Sequence, residues 1–316
     1  MILTGAVGTV YSIQYATDLS PTNPWVDRTL LQAKGASDVW IDPSAPAPAR
    51  RFYRALSVAA PADTNLVFIQ PGTFTMGSPT NEAGRVSDEV QHIVTLSRGF
   101  WMGKFLVTQG DYLSVVGSNP SFFNGVHGTD YGTDPTRPVE WVSWIDATNY
   151  CALRTQHERA VGLIPTNYVY RLPTESEWEY ACRAGTTTAF YLGSGLQSGQ
   201  ANFNGQNEYD AAVGDINNPN GIYLGRTTPV GSYAANGWGL YDMIGNVFEW
   251  CQDLKGAYPA GSVTDPQGPV TGSSRVFRGG GWSYYGRYCR SAQRLNNIPD
   301  ARFYDLGFRV VLAPGQ

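Results

Sequence analysis

The chain has 316 residues, of which 42% are hydrophobic and 15% are charged, and its formal net charge is −4. This composition excludes an intrinsically disordered chain, and the lack of any lysine or arginine run excludes nucleic acid as a partner, because phosphate neutralisation needs clustered positive charge. No apolar stretch approaches the roughly 20 residues that span a bilayer, so we expect no membrane span.

Residues 1–57 have the pattern of a small β-rich module. Hydrophobic side chains alternate with polar ones around Val10, Ile13 and Tyr15, which is typical of half-buried strands. The strand pattern is already present near the start of the chain, so we expect the module to be truncated, and no signal peptide is visible. The small and polar residues of 58–65 predict a linker. The module is a candidate for self-association.

A larger domain is expected over residues 66–313. Its glycines and its many aromatic residues (9 Trp, 19 Tyr and 13 Phe in the whole chain) favour a loop-rich fold in which rings pin irregular segments. The hydrophobic pattern predicts an opening hairpin from strands at 68–69 and 74–77, followed by a strand over 94–102.

Three helix starts follow from capping residues. Thr108 precedes a first helix, and Ser143 is the expected N-cap of a second helix that ends at Arg154. Thr174 and Glu177 form a capping-box pattern, which predicts a short helix over 175–183.

Two irregular segments stand out near the end of the chain. Residues 193–228 are rich in Gly and Asn and have little periodicity, so such a long loop needs a metal ion or dense hydrogen bonding to stay ordered. Residues 279–281 are three glycines after the apolar pair Val276 and Phe277, which predicts a strand that runs into a tight turn.

The four cysteines form an even set without metal-site spacing. Their positions favour the disulfides Cys151–Cys182 and Cys251–Cys289, which would place the chain in an oxidising compartment. The alternative is four reduced, buried thiols.

Several segments together resemble the formylglycine-generating-enzyme family, also called the sulfatase-modifying factor family. These are RLPTESEWEY at 171–180, GLYDMIGNVFEW at 239–250, RGGGW at 278–282, CRSAQR at 289–294 and GFRVVL at 307–312. The resemblance covers roughly residues 66–313. It implies an α+β fold of the C-type-lectin-like, formylglycine-generating-enzyme type, with short antiparallel sheets, few helices and long ordered loops.

The resemblance also implies structural calcium. Carried over by position, Asp242 and Glu249 would supply carboxylates and Gly245 and Val247 would supply carbonyl oxygens, a hard-oxygen set suited to Ca²⁺. A second site would begin at Asn202 and the carbonyl of Phe203. The alternative is that Asp242 and Glu249 only cap turns.

The family's own reaction is a copper-assisted oxidation that needs two cysteines shortly after the Arg-Gly-Gly turn. Residues 283–288 contain no cysteine, and Cys289 is a late and solitary candidate. Gly281 stands where the family has a serine, and Phe248 stands where it has a tryptophan. Because soft thiolates are what bind Cu(I), we expect neither copper nor this activity.

Residues 282–305 have a composition typical of a binding surface. Tyr, Trp, Asn and Arg supply large contact area and adaptable hydrogen bonds. The stretch resembles the ligand-binding region of C-type-lectin-fold variable proteins diversified by retroelements, although the same aromatics could simply cover a loop-rich core. The candidate ligand-binding residues are Trp282, Tyr284, Tyr285, Arg287, Tyr288, Asn296, Asn297, Phe303, Tyr304 and Asp305.

The sequence therefore predicts a non-catalytic, extracytoplasmic binding protein on a calcium-stabilised scaffold, with a protein or a glycan as its partner. The alternatives are a formylglycine-generating oxidase and a structural subunit of a surface layer or filament.

Overall fold

Short strands and three helices alternate with long loops in the computed structural model, which describes residues 1–20, 22, 24–42, 51–126 and 132–315. The helices are α1 (Gln109–Val116), α2 (Trp144–Ala160) and α3 (Glu175–Arg183), with a 3-10 turn at Gly286–Cys289. The strands are β1 (Ile2–Thr4), β2 (Val10–Ala16), β3 (Val26–Gln32), β4 (Ser37–Val39), β5 (Phe52–Val58), β6 (Leu66–Ile69), β7 (Gly72–Met76), β8 (His92–Leu96), β9 (Phe100–Gly103), β10 (Tyr168–Arg171), β11 (Asn207–Asp210), β12 (Gly214–Asn217), β13 (Phe248–Leu254), β14 (Val263–Thr264), β15 (Arg275–Arg278), β16 (Leu295–Asn297), β17 (Leu306–Gly307) and β18 (Val311–Pro314). None of the described helices combines the length and the apolar character needed to cross a membrane.

The sheets are small and join segments that are distant in sequence. Two of them have four strands, in the orders β10-β18-β9-β6 and β16-β15-β13-β17. A three-stranded sheet has the order β14-β8-β7, and the N-terminal strands form another with the order β3-β2-β5. Strand pairs β1-β4 and β11-β12 complete the set. Most pairs are antiparallel, so the fold is α+β as expected.

Two strand predictions were wrong about pairing. β6 and β7 do not form a hairpin, because β6 pairs with β9 and β7 pairs with β8. The expected single strand over 94–102 is two strands, β8 and β9, which lie in different sheets. Alternation reports that a segment is extended, but side-chain packing between distant segments selects its partner.

The helix predictions rest on local hydrogen bonds and are confirmed. Thr108, Ser143 and Thr174 are the N-caps of α1, α2 and α3, and each forms a complete capping box with the residue three positions on. α3 spans the predicted residues, but α2 continues six residues past Arg154 to Ala160. α2 ends two residues before Gly162, whose φ of +74° is a left-handed value that does not continue a helix.

Residues 193–228 stay ordered through hydrogen bonds. The β11-β12 pair lies within this loop. The Glu208 carboxylate accepts from the backbone N–H of Ser198 at 2.6 Å and from the Asn218 side chain at 3.1 Å. The Ser198 hydroxyl in turn accepts from the N–H of Ile222 at 2.5 Å.

The N-terminal strands pack on the rest of the chain. β5 ends at Val58, opposite Val10 of the central strand β2, and residues 59–65 follow without helix or strand. Val10 and Leu30 belong to the same hydrophobic cluster as Trp101 of β9. Residues 21, 23 and 43–50 of the predicted module lie outside the described part of the chain.

All four cysteines are free and buried, so neither expected disulfide forms. Cys151 lies in one hydrophobic cluster, whereas Cys182, Cys251 and Cys289 lie in another. The Cys182 thiol lies 3.6 Å from both the carbonyl oxygen of Met243 and the hydroxyl of Ser291. Burial raises the pKa of Cys151, Cys182 and Cys289 to about 12. The thiols therefore act as small core groups.

Buried ion pairs connect the C-terminal segment to the body of the fold. Arg290 donates to both oxygens of Glu89, each at 2.8 Å, and to Glu82 at 2.6 Å. Burial is the largest single influence on the Glu89 carboxyl and would raise its pKa, but the hydrogen bonds and charge of Arg290, together with hydrogen bonds from Ser78 and Val86, lower that pKa overall. The other buried pairs of this kind are Arg278–Glu179, Arg294–Glu175 and Arg309–Glu249.

Replacing Arg290 by methionine should therefore be strongly destabilising. Arg290→Met leaves Glu89 charged and unpaired in the core, and we expect a loss of about 3–5 kcal/mol in the free energy of unfolding. Arg302→Met removes a half-exposed partner of Asp146 and should cost less than about 1 kcal/mol. Urea denaturation of both variants checks this; equal, small losses would contradict it.

Candidate functional site

The predicted strand and turn near the C-terminus are present. β15 ends at Arg278, and Gly279 and Gly280 follow with φ of +100° and +81°. A Cβ atom at Gly280 would lie only 2.4 Å from the Cys289 sulfur, so both the backbone angle and the space require glycine. The turn leads directly to Trp282.

Trp282 is the centre of a cluster of rings. Its ring centroid lies 5.5 Å from that of Phe123, 5.6 Å from Tyr304 and 6.1 Å from Tyr223. Its indole N–H donates to the carbonyl of Tyr304 at 3.0 Å. Trp282 is itself buried, so it supports the rings around it more than it contacts solvent.

The outer rings of this cluster are exposed. The exposed fractions are 37% for Phe122, 41% for Trp141, 43% for Tyr223 and 43% for Tyr304. Contiguous exposed apolar surface of this kind marks interaction sites. We call the following residues the aromatic patch: Phe122, Phe123, Trp141, Tyr223, Trp282 and Tyr304.

Trp141 has an unusual backbone. Its φ is +61°, a left-handed value that is an outlier for a bulky side chain. Its N–H donates to the carbonyl of Phe303 at 2.9 Å, and its ring lies nearly parallel to that of Tyr304, with centroids 6.5 Å apart. A strained residue with an exposed indole indicates a functional position.

Two buried carboxyl groups adjoin the patch. Glu140 accepts a hydrogen bond from the N–H of Phe123 at 2.9 Å, and its second oxygen has no hydrogen-bond partner. Burial raises the pKa of Glu140 to about 8, and the negative charge of Asp305 adds to this rise. Burial also raises the pKa of Asp305, which accepts from the hydroxyl of Ser283 at 2.7 Å.

The structure divides the ten predicted ligand-binding residues. Trp282 and Tyr304 belong to the aromatic patch, Asp305 lies beneath it and Phe303 is exposed beside it. A second group is formed by Tyr284, Tyr285, Arg287 and Tyr288, where Arg287 pairs with Asp215 at 3.0 Å. Asn296 and Asn297 lie on β16, and the Asn296 amide donates to Ser274.

The sequence prediction missed four patch residues because they lie outside 282–305. Phe122, Phe123, Trp141 and Tyr223 come from three other segments. A single aromatic residue in a loop gives no signal of its own, since its exposure and its neighbours depend on the whole fold.

The residues expected to bind calcium fit a hard cation unevenly. Asp242 is buried, burial raises the pKa of its carboxyl to about 6, and one oxygen accepts from the N–H of Gly231 at 2.7 Å. Glu249 is also buried, but both of its oxygens accept from Arg309, at 2.6 and 2.9 Å. Asp242 is thus the better candidate ligand.

The other expected metal ligands are backbone atoms or amides nearby. The N–H of Gly245 donates to Gly279, and the side chain of Asn202 donates to the carbonyl of Arg226 at 3.0 Å. Val247 and Phe203 are buried. Among the described residues, no three His, Cys, Asp or Glu side chains cluster as a metal site would need, so calcium would depend on carbonyl oxygens.

Cys289, the weak catalytic candidate, is fully buried beneath Gly280. Its thiol has a raised pKa of about 12, so almost none of it is thiolate near neutral pH. Because the thiolate is both the nucleophile and the metal ligand, this environment disfavours either role.

The strain at Trp141 makes a testable difference between two variants. Trp141→Gly and Trp141→Ala both remove the indole, but only glycine tolerates positive φ, so the glycine variant should be more stable by about 1 kcal/mol. At Leu113, exposed in α1, the order should reverse, with glycine about 1 kcal/mol less stable than alanine. Urea unfolding measures both; the same order at both sites would rule out the strain.

Comparison with known proteins places this geometry in a family. A model of the sulfatase-modifying factor enzyme 1-like domain matches residues 55–314. The formylglycine-generating enzyme of Streptomyces coelicolor is 41% identical over 184 residues, which cover 55% of this chain and 52% of that enzyme. The chain thus spans about half the length of that relative.

Two solved structures are similar over most of the chain. Treponema denticola variable protein 1 has a TM-score of 0.63 and 29% identity, covering 79% of this chain and 95% of that one. PvdO from Pseudomonas aeruginosa has a TM-score of 0.62 and 29% identity, covering 78% and 93%. Because the family model also covers most of the chain, the chain belongs to the sulfatase-modifying factor family.

Proposed function

We propose that this chain is a non-catalytic binding protein that presents the aromatic patch to a protein or glycan partner outside the cytoplasm. The observation that carries the proposal is the set of four exposed rings from separate segments, of which Tyr223 and Tyr304 contact the buried Trp282. The other two, Phe122 and Trp141, contact Tyr304. Rigid aromatic side chains give large contact area at a low cost in conformational entropy.

The site chemistry supports binding over the family's oxidation. Cys289 is the sole cysteine after β15, and it is buried with a raised pKa. A copper-dependent thiol reaction needs accessible thiolates, which this arrangement does not provide. The chain is also similar to Treponema denticola variable protein 1, in line with the resemblance of residues 282–305 to variable proteins of the C-type-lectin fold.

We also propose that calcium stabilises the scaffold, with Asp242 as its charged ligand and the carbonyl oxygens of Gly245 and Val247 beside it. When bound, the ion would neutralise the buried Asp242 carboxylate, whose raised pKa reflects its desolvation. Glu249 would contribute less, because Arg309 already neutralises it.

The calcium proposal predicts a metal-dependent stability. Removing calcium by chelation should lower the unfolding free energy by about 3 kcal/mol, which corresponds to saturation near 100 times Kd. Asp242→Asn should abolish both the bound metal and the chelator effect, whereas the exposed Asp300→Asn should change neither. Elemental analysis and thermal unfolding measure this; an unchanged metal content in Asp242→Asn would sink the assignment.

The binding proposal is tested with arrays of glycans and of purified cell-surface proteins. Tyr304→Ala should weaken an identified partner at least tenfold, because it removes an exposed ring of the patch, and Tyr285→Ala tests whether the surface extends to the neighbouring group. Phe52→Ala, an exposed ring in the N-terminal sheet, is the matched control and should bind normally.

The same protein preparations are used to test for the family's copper-dependent oxidation. No aldehyde should form on a cysteine-containing sulfatase peptide with copper and oxygen. Copper-dependent product that disappears in Cys289→Ser would replace the binding proposal with the oxidase alternative.

A further inference from the structure

We propose that the partner of the aromatic patch is a protein that inserts a lysine side chain over the rings of Trp141 and Tyr304, beside the carboxyl groups of Glu140 and Asp305. This inference rests on the proposed binding function and adds the chemistry of the ligand.

The first argument is the combination of rings and acids. A cation is attracted to the face of a tryptophan or tyrosine ring when it lies within about 6 Å of the centroid. Trp141 and Tyr304 offer such rings at the surface, and Trp141 directly follows Glu140 in the chain. Tyr304 likewise directly precedes Asp305, and the buried carboxyl groups of Glu140 and Asp305 are close enough to interact electrostatically.

The second argument is that these acids lack a positive partner. Within the described part of the chain, no salt bridge involves Glu140 or Asp305. Their hydrogen-bond donors are neutral, namely the backbone N–H groups of Phe123 and Phe122 and the hydroxyl of Ser283. The neighbouring cation, Arg302, is already paired with Asp146 at 2.8 Å. This contrasts with Glu89, Glu179 and Glu249, each of which has an arginine.

The unpartnered oxygen of Glu140 points to the same conclusion. A buried carboxyl oxygen without a hydrogen bond costs free energy that the fold normally avoids. Burial raises the pKa of this group, and no neighbouring positive charge opposes that rise. A bound ammonium group would supply that charge in a region of low dielectric, where the attraction is strong.

Lysine suits the surface better than a smaller cation. The exposed rings extend over Phe122, Trp141, Tyr223 and Tyr304, which is more apolar area than one ammonium head can cover. A lysine side chain lays its methylene stem on apolar surface and places its charge at the end. An acidic ligand would be repelled by the two carboxyl groups, and a neutral ligand would gain no charge attraction from them.

The test uses capped tripeptides in ligand-observed NMR titrations of the full chain. Acetyl-Gly-Lys-Gly-amide should bind at least tenfold more tightly than its norleucine counterpart, which keeps the stem and lacks the charge. Choline tests whether the patch prefers a quaternary ammonium ion. Choline binding without binding of the lysine peptide would overturn the choice of lysine. Equal binding of the lysine and norleucine peptides would overturn the role of charge.

Variants then locate the site. Trp141→Gly should weaken the lysine peptide at least tenfold, and Asp305→Asn and Glu140→Gln should each weaken it severalfold without affecting the norleucine peptide. If Glu140→Gln fails to fold, the effect of Asp305→Asn on the lysine peptide still tests the role of the carboxyl groups. Phe52→Ala should bind as the native chain does. Binding that survives Trp141→Gly and Asp305→Asn would place lysine elsewhere and overturn the proposal.

The outcome separates this inference from the function on which it rests. If no lysine peptide binds while an array partner still depends on Tyr304, the patch is a binding surface and the lysine assignment is wrong. If no partner depends on Tyr304 either, both fail.

Discussion

Buried arginine–glutamate pairs organise this fold. Each of four arginines in the C-terminal segment is nearly inaccessible to solvent and reaches a glutamate on a different part of the chain. Burying such a pair carries a large desolvation penalty. The pairs therefore contribute less to net stability than to fixing the relative positions of the two segments that they join. The pairs are Arg278–Glu179, Arg290–Glu89, Arg294–Glu175 and Arg309–Glu249.

The same pairs position the aromatic patch. Trp282 lies in the turn between Arg278 and Arg290, and Tyr304 lies in the loop between Arg294 and Arg309. Each loop is thus fixed at both ends by a buried ion pair, which lets irregular backbone hold its rings in place. A rigid surface loses less entropy on binding than a mobile one.

The patch itself contains features that folding alone does not favour. Trp141 has a strained backbone angle, and Glu140 keeps an oxygen without a hydrogen bond in the core. Glu89, Glu175, Glu179 and Glu249 are each paired with an arginine, whereas Glu140 is not, so the patch combines a strained backbone with a buried acid that lacks a cation. Strained backbone angles and unsatisfied buried groups cluster at functional sites, where the function requires them.

The sequence by itself determined the features that depend on neighbours along the chain. The capping boxes at Thr108, Ser143 and Thr174 placed the helix starts, and the glycines after β15 predicted the turn, because these are hydrogen bonds and backbone angles within a few residues. The family motifs identified the fold class for the same reason, since they are contiguous.

Only the tertiary structure decided the contacts between distant segments. It separated β6 from β7, kept Cys151 apart from Cys182 in different clusters, and brought Trp141 beside Tyr304. Two of the six residues of the aromatic patch, Trp282 and Tyr304, were therefore visible in residues 282–305, and the other four were not. Strand pairing and ring contacts depend on how the whole chain packs, which no local pattern records.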